Sequence, residues 1–258
     1  MSGTSRAGRN ARSEKRRRGP LLLTLTGVML VAVSLGFYGA FHRALYTARQ
    51  DFVKLARQVQ LSVPAVSDEA QPSPYMELLK QNRDLVGWIK IEQTTVDYPV
   101  VQTPHEPEYY LRRNFKKEYS IAGTPFLDGA CEMEEGLLLI LYGHNMNDGS
   151  MFAALQGYLD VEYWEDHSVI RCDSLTQARE YEVMAVLCFA ATTEANEAYY
   201  TVPQNEEEFT EYVRRVRRDA LYGTGLDAAW GQQLLALSTC DRRDSNARIL
   251  VIARSMEE

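Results

Sequence analysis

Hydrophobic positions are distributed differently along different parts of this chain. From Leu21 to Phe41, LLLTLTGVMLVAVSLGFYGAF, no charge interrupts them. At about 1.5 Å per residue this run extends about 31 Å, the thickness of a bilayer's hydrocarbon core. From His42 to Leu61 apolar residues instead recur at helical intervals (Leu45, Phe52, Leu55, Val59), which predicts a helix continuing beyond the apolar run. The stretch 62–74, SVPAVSDEAQPSP, has no period and is rich in Pro, Ser and Ala, so it reads as a linker. Pro74 suits the first turn of a short helix, YMELLKQNRD.

Beyond that helix the pattern changes to short apolar runs rich in β-branched and aromatic residues, bounded by Gly, Pro, Asp or Asn. Strands are predicted at 85–91, 94–101, 123–128, 136–143, 167–172, 179–190, 233–240 and 247–254. Helical patterns interrupt them at 149–159 and at 205–222, the latter with acids in its first turn and arginines later, as the helix dipole prefers. Eight strands with few helices predict a mainly β fold, a closed or nearly closed barrel rather than alternating βαβ units. The expected organisation is a basic tail (1–20), a transmembrane helix (21–41), a juxtamembrane helix and linker (42–73) and a globular domain (74–258).

Charge sharpens this picture. Residues 1–20 hold seven Lys/Arg and one acid, while the other 238 residues hold 21 basic against 34 acidic side chains. An acidic body argues against nucleic acid as a partner, because such binding needs a basic surface. A basic tail before one apolar span predicts a cytoplasmic N-terminus and an external domain. A cleaved signal peptide would have an apolar core of about 7–15 residues and a small-x-small site after it; this run is longer and FHRALYTARQ offers no such site. The expectation is therefore an uncleaved anchor in the cell membrane. Four cysteines in an exported chain allow two disulfides, but Cys172 and Cys188 lie in or beside apolar strands, where a thiol often serves as a small hydrophobe, so no obligatory disulfide is expected.

Reactive side chains concentrate at strand ends. LYGHNMNDGSMF places His144 just past one apolar strand, LSTC places Cys240 at the end of another, and Arg248 opens the last strand. A thiol is weakly ionised at neutral pH, so a nucleophilic cysteine needs a histidine to share its proton, and a nearby arginine can hold an oxyanion or a substrate carbonyl. Together they describe acyl transfer through a thioester. By spacing alone, a packing cysteine, a solvated loop histidine and a surface arginine are the more common readings. Arg242 and Arg243, in the turn DRRDSN, read as surface charge that Lys would replace with little loss.

YGHNMNDGSMFAAL and LSTCDRRDSNARILVIAR resemble the histidine motif and the T-x-T-C…R motif of sortases, membrane-anchored transpeptidases of Gram-positive bacteria. LSTC fits the broader T-L-x-T-C form in part and keeps Thr239. The run YYLRRNFKKEYSIAGTPFLD (109–128) resembles the segment preceding the sortase histidine strand, and the helix at 205–222 resembles class B more closely than class A. The resemblance covers roughly residues 75–256. It implies a sortase-like eight-stranded barrel in which Cys240 attacks the carbonyl after threonine in a C-terminal sorting signal, His144 serves as acid and base, and Arg248 holds the carbonyl or oxyanion. It further implies that Ser238, Thr239 and, more loosely, Tyr199 and Tyr200 contact substrate. The implied partners are surface proteins bearing an NPxTx-like or an SPxTG/PPxTG-like signal and an amine of a peptidoglycan precursor or cross-bridge. No cofactor and no metal are expected, since Cys and His here lack ligand spacing such as Cys-x-x-Cys. Two alternatives remain: a papain-like hydrolase, in which the cysteine normally comes first and opens a helix, and a membrane-tethered module with an inert cysteine. A pilin polymerase would be expected to carry a lid or a second span, which the ending at Glu258 disfavours.

Overall fold

The computed structural model describes residues 7–62, 73–190, 194–244 and 246–256, so most of the predicted linker at 62–74 lies outside the described residues. The apolar run and the amphipathic segment after it form one helix, α1 (Ala7–Ser62). Its Leu23–Leu61 part is long and apolar enough to cross a membrane. The chain divides into two units, Met1–Tyr46 and Thr47–Glu258. In the first, large apolar residues such as Leu25, Met29 and Phe37 are exposed. In the second, Phe52, Leu55 and Val59 of α1 join the core, so the helical periodicity read from the sequence marks a face that packs against the globular unit.

That unit is built on eight strands: β1 (Leu85–Lys90), β2 (Asp97–Val101), β3 (Phe126–Leu127), β4 (Leu138–Tyr142), β5 (Val169–Ser174), β6 (Glu180–Ala190), β7 (Leu234–Cys240) and β8 (Ala247–Ser255). They close into a barrel in the order β1-β2-β3-β4-β7-β8-β6-β5. Closure leaves no sheet edge open. β4 and β7 are nearly continuous apolar runs, and each is buried along almost its whole length. They pair in parallel, which places their C-terminal ends at the same end of the barrel.

Several strands are shorter than the apolar pattern suggests, and two of them, β2 and β3, are cut back for local reasons. β2 begins at Asp97 because Thr94 N–H bonds back to Ile91 in a turn in which Gln93 has a positive φ. β3 is reduced to Phe126–Leu127 because the backbone before it is used elsewhere. Gly123 takes φ +63 with the Tyr110 and Leu111 carbonyls so close that a Cβ would collide with them, while Thr124 bonds through its N–H to Tyr110 and through its hydroxyl to Arg113.

The helix expected at 149–159 is a 3₁₀ helix, Phe152–Leu159. Its largest buried residues, Phe152, Leu155 and Tyr158, are spaced by three, the period at which 3₁₀ side chains eclipse. Short helices α2 (Met76–Gln81), α3 (Val161–Asp166) and α4 (Glu194–Glu197) follow in the connections. The remaining helix, α5 (Glu206–Asp219), is capped by Asn205, whose side chain accepts from Glu208 N–H, and buries Phe209, Tyr212, Val213 and Val216 at i, i+3, i+4 and i+7.

Candidate active site

Strand register brings the predicted residues together. β4 and β7 are in register from Leu138 opposite Leu234 to Tyr142 opposite Ser238, so His144 and Cys240, each two residues further on, leave the same end of neighbouring strands. β7 and β8 are antiparallel with Cys240 directly opposite Arg248, which sets their Cα atoms about 4.5–5.5 Å apart with side chains on one face. The thiol, the imidazole and the guanidinium thus share one rim of the barrel although 104 positions separate the first from the last in sequence.

Each group is fixed differently. Gly143 lets the chain turn off β4: a Cβ there would lie 2.6 Å from the buried Phe152 ring. The turn is closed by Phe152 N–H donating to His144 O and by a bridge between Asn145 and Met151. His144 is half-buried, and its Nε2 lies 2.8 Å from the Leu111 carbonyl oxygen. A carbonyl only accepts, so Nε2 carries the proton and neutral His144 keeps its lone pair on Nδ1. Burial, helped by the nearby Arg112 cation, holds the His144 pKa below the ordinary imidazole value, against the opposing effect of the Leu111 carbonyl. Among the described residues, neither Nδ1 nor the Cys240 sulfur is engaged in a hydrogen bond. Two other thiols are buried. Burial pushes Cys131 up to about 12 and Cys172 higher still, so neither is available as a thiolate.

Alternation along β7 separates Ser238 from Thr239. Ser238 shares the face of Cys240, and its hydroxyl lies 3.0 Å from the Tyr200 hydroxyl. Thr239 points the other way and donates to Gly143 O at 2.7 Å, tying the two strand ends together. The tyrosine pair also divides. Tyr199 is held by Asp219 at the end of α5 (2.6 Å), whereas Tyr200 stacks on Tyr142 at 6.0 Å and faces the site. Burial raises the Tyr200 pKa. The Ser238 hydrogen bond and the Arg248 charge pull it back, and Cys240 adds to the rise, so this one phenol senses both members of the opposed pair.

Several residues at this rim were not legible in sequence. The Leu111 carbonyl, from the 3₁₀ turn Tyr109–Arg112, has no side-chain signal at all. Asp241 is buried and holds Arg243 through both carboxylate oxygens, and that guanidinium keeps its pKa well below the usual carboxylate range. Arg242 donates to Asn145 Oδ1 and to Met146 O, at 3.0 and 2.7 Å. The two arginines expected to be plain surface charge therefore both have specific partners. Among the described residues, no group of three or more His, Cys, Asp or Glu is arranged to hold a metal.

A sequence profile described as "Sortase domain" matches residues 89–256. Sortase B of Listeria monocytogenes is 36% identical over 168 residues, 64% of this chain and 66% of that protein. Sortase B of Staphylococcus aureus is 27% identical over 240 residues, 90% of this chain and 96% of that protein. Among solved structures, a Staphylococcus aureus sortase B–substrate complex matches with a TM-score of 0.73 at 26% identity, covering 82% of this chain and 97% of that one.

Proposed function

The chain belongs to the sortase family of transpeptidases, with sortase B proteins as its relatives, and we propose that it cleaves a C-terminal sorting signal after threonine and transfers the protein to a peptidoglycan amine. The observation that carries this reading is the register that sets Cys240 opposite Arg248 and beside the His144 turn. Cys240 gives its proton to His144 Nδ1 and its sulfur attacks the threonine carbonyl, with the oxyanion held by Arg248. The peptide C–N bond then breaks, and the imidazolium returns the proton to the leaving amine. The incoming amine attacks the thioester, loses its proton to Nδ1, and the thiol is regenerated. A sulfur at the end of a strand rather than the start of a helix argues against the papain-like alternative.

Tyr200, Tyr142 and Ser238 form the aromatic and hydroxyl wall along which the peptide would lie, with Tyr199 anchoring that wall to α5. The signal would be of the NPxTx or the SPxTG/PPxTG type. The test is incubation of the full chain in detergent with a panel of such peptides and triglycine as acceptor, followed by mass spectrometry. A thioester adduct on Cys240 and a triglycine-capped product are expected. An absence of both from every peptide, with the barrel folded, would sink the reading.

The same proposal extends to topology. Residues 1–20 stay in the cytoplasm, 21–41 span the membrane, 42–73 lead out of it, and 74–258 act outside. Protease added to intact protoplasts should remove the external domain, and a fully protected domain would contradict it.

A further inference from the structure

The ladder between β4 and β7 ends with Tyr142 opposite Ser238, followed by one bond from Gly143 N–H to Ser238 O. Past that point no strand pairing fixes where His144 lies relative to Cys240. A side-chain network takes over. Asn145, next to His144, donates through Nδ2 to the Cys240 carbonyl (2.8 Å) and to Gln156 Oε1 (3.0 Å). Gln156 Oε1 also accepts from Arg242 N–H (3.1 Å), and its Nε2 donates to Asp241 Oδ1 (3.0 Å). Arg242 completes the circuit by donating through Nε to Asn145 Oδ1 (3.0 Å) and through a terminal nitrogen to Met146 O (2.7 Å). The guanidinium therefore reaches from the turn after the cysteine to both residues that follow the histidine.

We propose that Arg242 is a positioning residue for the transpeptidation, fastening the His144 turn to the Cys240 turn through Asn145 and Gln156. This rests on the reading of Cys240 and His144 as nucleophile and acid/base. The two donors of Arg242 used here stand at the fixed angle of the guanidinium fork, and a lysine ammonium has neither that angle nor two nitrogens. Proton transfer between sulfur and Nδ1 depends steeply on their separation, and a misplacement of about 1 Å costs on the order of 100-fold in rate. Arg242 itself is exposed, so its removal leaves the core intact and acts on geometry rather than on folding.

The test uses the full chain in detergent, with the peptide that gives the best acyl-enzyme in the parent. Arg242→Ala is expected to lower the single-turnover acylation rate about 10-fold or more, with KM within about twofold and the melting temperature within about 2 °C. Arg242→Lys should not restore the rate. Asn145→Ala alone should be similarly slow, and the double variant no slower than the worse single, because both substitutions open the same clamp. An acylation rate within twofold of the parent in Arg242→Ala, a change confined to KM, rescue by lysine, or losses that multiply in the double variant would each overturn the proposal while leaving the Cys240 reading in place. An inert parent overturns both.

Discussion

β7 is bounded by polar side chains at both ends, and the two ends are finished in opposite ways. Just before it, Gln233 uses both the oxygen and the nitrogen of its amide. Its Oε1 accepts from Tyr181 and Arg179, at 2.5 and 3.2 Å, and its Nε2 donates to Gly136 O at 2.6 Å. Arg179 in turn donates to the Met133 and Glu134 carbonyls. At the other end stands Cys240, whose carbonyl is held by Asn145 but whose sulfur is engaged by no hydrogen bond among the described residues. Polar groups at a barrel end are not in themselves a sign of chemistry. A saturated set is a fastening, whereas a fixed backbone and fixed neighbours around a sulfur with no hydrogen bond among the described residues fit the proposed reading of a site preorganised for a substrate.

The most severe way to break this comparison is at the unengaged end. Cys240→Ala removes the sulfur proposed to carry the acyl group, so the thioester adduct and all peptide cleavage should disappear. Among the described residues the sulfur has no hydrogen bond to lose, so circular dichroism and melting temperature should stay close to those of the parent. Residual turnover above about one part in a thousand, measured by product formation, would mean that the nucleophile lies elsewhere.

Arg248 comes next. Arg248→Lys keeps the charge beside Cys240 but loses the planar fork. Removing one oxyanion donor typically costs about 10²–10³ in rate, roughly 3–4 kcal/mol. Turnover should fall by about that factor while Cys240 still forms a mixed disulfide with a thiosulfonate reagent, releasing the sulfinate. Near-normal turnover would reduce the machinery to Cys240 and His144.

At the saturated end the expected signs reverse. Gln233→Ala strips an acceptor from Tyr181, which is fully buried, and from Arg179, and leaves Gly136 O without its donor. Losing these three hydrogen bonds costs about 2 kcal/mol, or about 4–8 °C of melting temperature in a domain of this size. The rate per folded molecule at 25 °C should be unchanged. A loss of rate with no loss of stability would show that the far end reaches the site.

These contrasts also explain what the sequence could and could not reveal. The eight strands were legible because each carries a short apolar run bounded by turn residues, and α5 because its four buried residues keep a helical period. The ends of β2 and β3 were not, because Gln93 and Gly123 adopt turn conformations that no hydrophobic pattern encodes. Cys240, His144 and Arg248 were legible as a motif, and register accounts for their meeting. The clamp was not: Arg242 and Asn145 are 97 positions apart and leave no periodic trace. Neighbouring Tyr199 and Tyr200 look alike in sequence and separate only because one meets Asp219 and the other Ser238.

The smallest effect expected concerns Arg112. Burial is the main cause of the lowered His144 pKa, and the Arg112 cation adds to it by disfavouring the imidazolium. In the resting enzyme His144 therefore stays neutral to a pH below the ordinary imidazole value of about 6.5, and peptide cleavage should rise with pH through a limb lying below that value. Arg112→Gln removes a positive charge and so makes protonation of His144 easier, which raises the limb. Arg112 is exposed and its charge is screened by solvent, so the displacement should be small and should shrink further at high ionic strength. Acylation rates measured from pH 5 to 8 at low and high salt check both the direction and the screening. A limb that moves down, or a shift that persists unchanged in high salt, would mean that Arg112 acts through the peptide or through the 3₁₀ turn carrying the Leu111 carbonyl rather than through its field on the imidazole.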